Sequence, residues 1–140
     1  MTLDHAKLDV YQRALELLDQ LDLVHELMPP GRAHLKDQLD RAGTSVVLNI
    51  AEGAGEFSPP EKQRFYRMAR RSAIETAAIL DILERRRSLP VESLQPARDL
   101  VVRVVSMLSA SRPSNPRTSG AGTGTGTGQP RNALRFSAAC

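Results

Sequence analysis

The chain has 140 residues, 41% of them apolar and 25% charged, with a formal charge of +3, which is the make-up of one water-soluble domain with chain left over for an appendage. Its one cysteine, Cys140, rules out an internal disulfide and a thiolate metal cluster, and 4% aromatics without tryptophan suit neither a base-stacking platform nor a sandwich core. No run reaches the roughly 18 uncharged residues of a membrane span, and the acidic opening Met1-Thr2-Leu3-Asp4-His5 is unlike a secretory leader, so a cytoplasmic protein with no membrane contact is expected.

The apolar period is helical throughout and predicts an all-α fold. A first helix, about Lys7–Met28, carries Val10, Ala14, Leu17, Leu21, Val24 and Met28 on one seam and ends at Pro29-Pro30-Gly31. Leu8, Tyr11, Leu15 and Leu18 widen its apolar arc to about 200°, roughly twice what one helix turns toward a core. Those four are therefore the expected oligomer interface. A second helix, about Arg32–Glu52, uses Leu35, Leu39, Ala42, Val46 and Ile50, with Gly53-Ala54-Gly55 expected as a left-handed stop. The third opens with Ser58-Pro59-Pro60-Glu61, which reads as a capping box with proline at the first helical position, and runs to about Arg87. Its core line is Phe65, Ala69, Ser72, Thr76, Ile79 and Leu83, flanked by Met68 and Leu80. Leu89-Pro90 breaks it, and a fourth helix, kinked or restarted at Pro96, carries Leu94, Val101, Val104, Val105 and Leu108. Short connections predict an up-down-up-down antiparallel four-helix bundle over residues 1–110. Residues 111–140, with a Gly/Thr run at Gly120–Gly128 and no acid, are expected to be a disordered tail.

The basicity belongs to that tail: residues 1–110 hold fifteen bases and sixteen acids, for −1, and the tail holds four arginines and no acid, for +4. Within the body, residues 1–60 have five bases and ten acids while residues 61–90 have eight bases and four acids. On the second helix Gln38, Arg41, Ser45, Asn49 and Glu52 form a polar stripe beside the apolar line, and on the third Arg64, Arg71 and Glu75 flank it with Ser72 inside it. If these flanks meet, Gln38, Arg41, Ser45, Asn49, Glu52, Ser72 and Glu75 make an interhelical network that fixes register. A ligand or partner surface is the second reading.

Catalysis finds little support. Glu52 and Glu75 could act as an acid pair only if brought together, and Arg41 and Arg71 nearby would keep both ionised. His5, His25 and His34 lack metal-ligand spacing, and the Glu-x-x-His motif of di-iron bundles is absent from the sequence. No cofactor is expected.

The segments Leu35-Lys36-Asp37-Gln38-Leu39-Asp40-Arg41-Ala42, Ser45-Val46-Val47-Leu48-Asn49-Ile50-Ala51-Glu52-Gly53, and Ala69-Arg70-Arg71-Ser72-Ala73-Ile74-Glu75 with Phe65, together with Leu8-Asp9-Val10-Tyr11-Gln12-Arg13-Ala14, resemble the signature of a bacterial family of four-helix bundles. That family is associated with intervening sequences of 23S ribosomal-RNA genes and more distantly resembles accessory proteins of diversity-generating retroelements. The resemblance covers about residues 7–110. Arg71 stands where the family usually has glycine.

The resemblance implies a ring-like homo-oligomer, a pentamer first of all, and a non-enzymatic accessory role in binding RNA or DNA. Lys62, Arg64, Arg67, Arg70 and Arg71 on the third helix are the expected phosphate contacts, since the first two helices are acidic. The alternative is a structural adaptor that meets another protein, such as a reverse transcriptase, through the same charges.

Overall fold

The computed structural model describes residues 3–110; the expected tail lies outside them. A 3-10 turn, Asp4–Lys7, leads into four helices: α1 (Asp9–Leu27), α2 (Ala33–Gly55), α3 (Pro59–Arg85) and α4 (Val91–Ala110). Each helix packs on its two neighbours in a closed square, α1 on α2 and α4, α3 on α2 and α4, with the diagonals apart. This is the up-down-up-down antiparallel bundle that the short connections dictate. The α2–α3 pair has the most extensive contact. No helix among the described residues is long and apolar enough to cross a membrane.

The core lies in two clusters. Near the α1–α2 and α3–α4 turns, Leu17, Leu21, Leu35, Leu39, Leu80, Leu83 and Leu94 interlock. Toward the opposite end the lining side chains are smaller: Ala14, Ala69 and Ala73 with Val46, Val47, Ile50 and Val104. Each fully buried leucine is worth about 1.5–3 kcal/mol relative to exposure, so the first cluster holds most of the hydrophobic stabilisation. The seam expected for α1 is the seam that is buried, from Ala14 through Met28.

The helix ends depart from several sequence expectations. Met28 is extended (ψ 132°) because a residue before proline is pushed from the α region, and Gly31 turns the chain at φ 90°. The glycines after Glu52 are not a left-handed stop, since α2 runs through Gly53 and Ala54 to Gly55 and is capped by an extended Glu56. Gly53 is required for a different reason. A Cβ there would sit 2.7 Å from Tyr66 Cε1 and 3.2 Å from Phe65 Cβ, so the glycine lets the first turns of α3 close on α2. The capping box does not form either. Ser58 caps α3 without a side-chain hydrogen bond, and the Glu61 carboxylate pairs with Arg64 (2.9 Å).

At the far end of α3, Ser88 N donates to Leu83 O (3.0 Å) and Arg87 N to Glu84 O (2.9 Å), with Arg87 left-handed at φ 51°. That is a Schellman closure built on arginine where glycine would be easier. Helix α4 neither restarts nor breaks at Pro96, which lies in its second turn. There the missing N–H costs one bond, and the buried Leu94, Ala97 and Val101 hold the helix on the core.

Candidate nucleic-acid interface

The polar stripe resolves into a small buried part and a larger exposed part. Ser45 and Ser72 hydroxyls meet at 2.8 Å across the α2–α3 interface. Asn49 Nδ2 donates to Ser45 O (2.9 Å) and to Ser45 Oγ (3.0 Å), and Thr76, fully buried, donates to Ser72 O (2.9 Å). These short side chains keep their polar atoms within the α2–α3 interface, where one another and the adjacent backbone satisfy them. Gln38, Arg41, Glu52 and Glu75 are exposed and have no hydrogen-bond or ion-pair partner among the described residues. The structure thus brings together three of the seven expected network residues, adds Thr76, and leaves four at the surface.

The four residues expected at an oligomer interface are half-buried on their own bundle. Leu8, Tyr11, Leu15 and Leu18 pack against the alanine/valine cluster. Tyr11 also meets His5 edge-on at 4.8 Å, and Leu18 Cδ2 lies 3.1 Å from where a Cβ on Gly43 would be. The exposed apolar side chains are Leu23 and Leu27 on α1, Leu48 on α2, Phe57 before α3, Ile74 on α3 and Val102 on α4, among others.

The five bases of α3 expected to meet phosphates divide in the same way. Arg64 is paired with Glu61 and lies over the Phe65 ring, 4.7 Å from its centroid, so its charge is satisfied locally. Lys62 Nζ leans on Ala54 O at 3.5 Å. Arg67, Arg70 and Arg71 form no ion pair with any described residue; Arg70 Nε donates to Ser109 Oγ (2.9 Å), which anchors that guanidinium on α4. Ser109 in turn donates to Val105 O (2.7 Å).

These three arginines share a shallow depression of about 130 Å³ with Gln63, Tyr66 and Leu108. Gln63, Tyr66, Arg67, Arg70 and Arg71 follow the i, i+3, i+4, i+7, i+8 spacing of one helical face. Burial pushes the Tyr66 phenol above its usual pKa of 10.0, so it stays a protonated donor at neutral pH. The sequence reading picked out the arginines by charge and missed Tyr66 and Gln63, although their spacing put them on the same face. Among the described residues no group of three or more His, Cys, Asp and Glu side chains is placed to hold a metal ion.

An all-helical antiparallel bundle with a serine–serine contact between its two longest helices is the class that this architecture defines. The chain belongs to the 23S rRNA-intervening sequence protein family, whose profile matches residues 6–110. A solved structure of a protein of unknown function from the S23 ribosomal protein family of Bacteroides thetaiotaomicron superposes with a TM-score of 0.67 at 20% identity, covering 72% of this chain and 95% of that one. At that identity the likeness is one of fold. A search of curated proteins gave no match.

Proposed function

We propose that the protein is a non-enzymatic accessory factor that binds RNA or DNA as a homo-oligomer, through the basic face of α3. The observation that carries this reading is the set of three guanidiniums, Arg67, Arg70 and Arg71, that share one concave face of α3 without an acidic partner among the described residues. Arg98, by contrast, is neutralised: it meets Asp81 at 2.9 Å and also contacts Glu84. The family name, with its 23S rRNA intervening sequences, is consistent with a nucleic-acid partner.

Self-association supports the same reading by repetition. In a pentamer the α3 strip recurs five times, and weak phosphate contacts become avidity. Exposed Leu23, Leu27, Leu48 and Val102, together with the outer halves of Leu8, Tyr11, Leu15 and Leu18, supply apolar surface for subunit contacts. Light scattering of the full chain at micromolar concentration should show the oligomer, and Leu15→Glu should dissociate it with helicity retained; a clean monomer overturns this part.

For binding, fluorescence anisotropy with labelled RNA and DNA is the direct test. Affinity should fall steeply with salt, with a slope of about −0.9 per phosphate contact on duplex DNA, and Arg67→Glu with Arg70→Glu should abolish most of it. Equal affinity for the double variant and the parent would move the arginines to a protein-facing role, such as docking a reverse transcriptase.

A further inference from the structure

The α3–α4 groove is asymmetric in charge. Near the α3–α4 turn, Arg98 fills it and is neutralised by Asp81 and Glu84. Near the start of α3 the same groove holds Arg67, Arg70 and Arg71, and neither the α3 face lining the depression nor the last turns of α4 opposite supply an acid to meet them. The place is concave, bounded by one face of α3 and by Leu108 of α4, whereas the depression at the ion-paired end is lined by the carboxylates of Asp81 and Glu84 along with Arg85 and Arg87. The Tyr66 hydroxyl, on the same wall, has no hydrogen-bond partner among the described residues. Arg70 is already immobilised through Nε by Ser109, so its two terminal nitrogens are preorganised to donate outward.

We propose that this depression binds a phosphate monoester at the end of a nucleic-acid strand, a proposal that rests on the nucleic-acid reading above and specifies where a strand terminus sits. Three guanidiniums match a group carrying about −1.5 to −2 charge at neutral pH with three strong acceptor oxygens. A mid-strand phosphodiester has one charge and two ester arms that must both leave the site, whereas a terminal phosphate enters a concave site with a single arm leading out. Tyr66 donates its phenol O–H to one oxygen, and Leu108 offers apolar contact to the first sugar. Arg71, on the same wall, completes the charge.

The test uses the full-length protein and one single-stranded RNA 12-mer in three forms: 5′-phosphate, 3′-phosphate, and hydroxyl at both ends, titrated by anisotropy at fixed salt. A phosphorylated end should bind at least tenfold tighter than the all-hydroxyl strand, and the two phosphorylated forms report which polarity the site takes. Tyr66→Phe, which keeps the ring against Gly53, should bring the ratio toward parity, and Arg71→Gln should do the same. Thermal melts confirm that both variants are folded. Equal affinity for all three strands overturns the pocket and leaves nucleic-acid binding standing, whereas no affinity for any strand overturns both. A phosphoserine peptide that binds while the phosphorylated strands do not would also overturn the proposal.

Discussion

At the end of the bundle formed by the α1–α2 and α3–α4 turns, leucines from all four helices fill the core and Arg98 crosses from α4 to two carboxylates on α3. At the opposite end the core is alanine and valine, serine hydroxyls meet between α2 and α3, and three arginines face solvent unpaired. Small residues bury little area each, so this end contributes less hydrophobic stabilisation. They also let the backbones come close, and that proximity allows Ser45 to reach Ser72 and Gly53 to receive Tyr66. One end therefore carries stability, and the other carries close polar geometry with uncompensated charge, the combination expected of a recognition surface.

The largest expected effect tests the first half of that contrast. Leu83, fully buried in the leucine cluster, truncated as Leu83→Ala should cost about 2–5 kcal/mol in chemical denaturation. Ala69→Leu at the other end should cost about 1–3 kcal/mol by overpacking. Should Leu83→Ala cost under about 1 kcal/mol, the leucine end is not the anchor.

The next prediction sets two glycines against each other. Gly53→Ala gains helix propensity of roughly 1 kcal/mol but drives a methyl to within 2.7 Å of the Tyr66 ring, so a net loss of about 1 kcal/mol is expected. Gly55→Ala meets nothing within 4 Å and should be neutral or stabilising by roughly 0.5 kcal/mol. A stabilising Gly53→Ala would show that Tyr66 yields easily and that the close approach is unimportant. A double-mutant cycle of Ser45→Ala and Ser72→Ala then measures the hydroxyl pair itself, with a coupling of about 0.5–1.5 kcal/mol expected; a coupling near zero would mean the two hydroxyls serve their own helices.

The contrast also explains what was legible in the sequence. Helix number and order and the buried seam of α1 followed from the 3.6-residue period, whereas on α3 the expected core residues Phe65 and Ser72 are only half-buried, Met68 is exposed and Ala73 is buried in their place. The reason for Gly53 was not legible, since a close approach involves a residue on another helix, and the left-handed turn at Arg87 gave no glycine signal. The polar stripe was half legible. Angular position put Arg41, Glu52 and Glu75 beside Ser45, Asn49 and Ser72, but a projection ignores side-chain length, and long charged side chains at an interface edge carry their charges out to water while short ones stay in. The basic face was legible as charge. What divided it, Glu61 beside Arg64 and Ser109 beneath Arg70, required the fold in the second case and only an i, i+3 count in the first.

The smallest effect is the most discriminating for that division. Had Glu75 been a member of a buried charged network, removing it would strand a partner at a cost of about 3–5 kcal/mol. In the structure Glu75 is exposed and forms no ion pair with any described residue, so Glu75→Ala should change stability by less than about 0.5 kcal/mol in thermal or chemical unfolding. It lies one turn beyond Arg71 on α3, where its carboxylate lowers the positive potential of the arginine strip. Its removal should therefore tighten nucleic-acid binding, by less than about fivefold, because opposite charges separated by 4 Å of water interact by only about 1 kcal/mol. A large drop in melting temperature would return Glu75 to a structural network, and weaker binding on its removal would make it a contact residue in its own right.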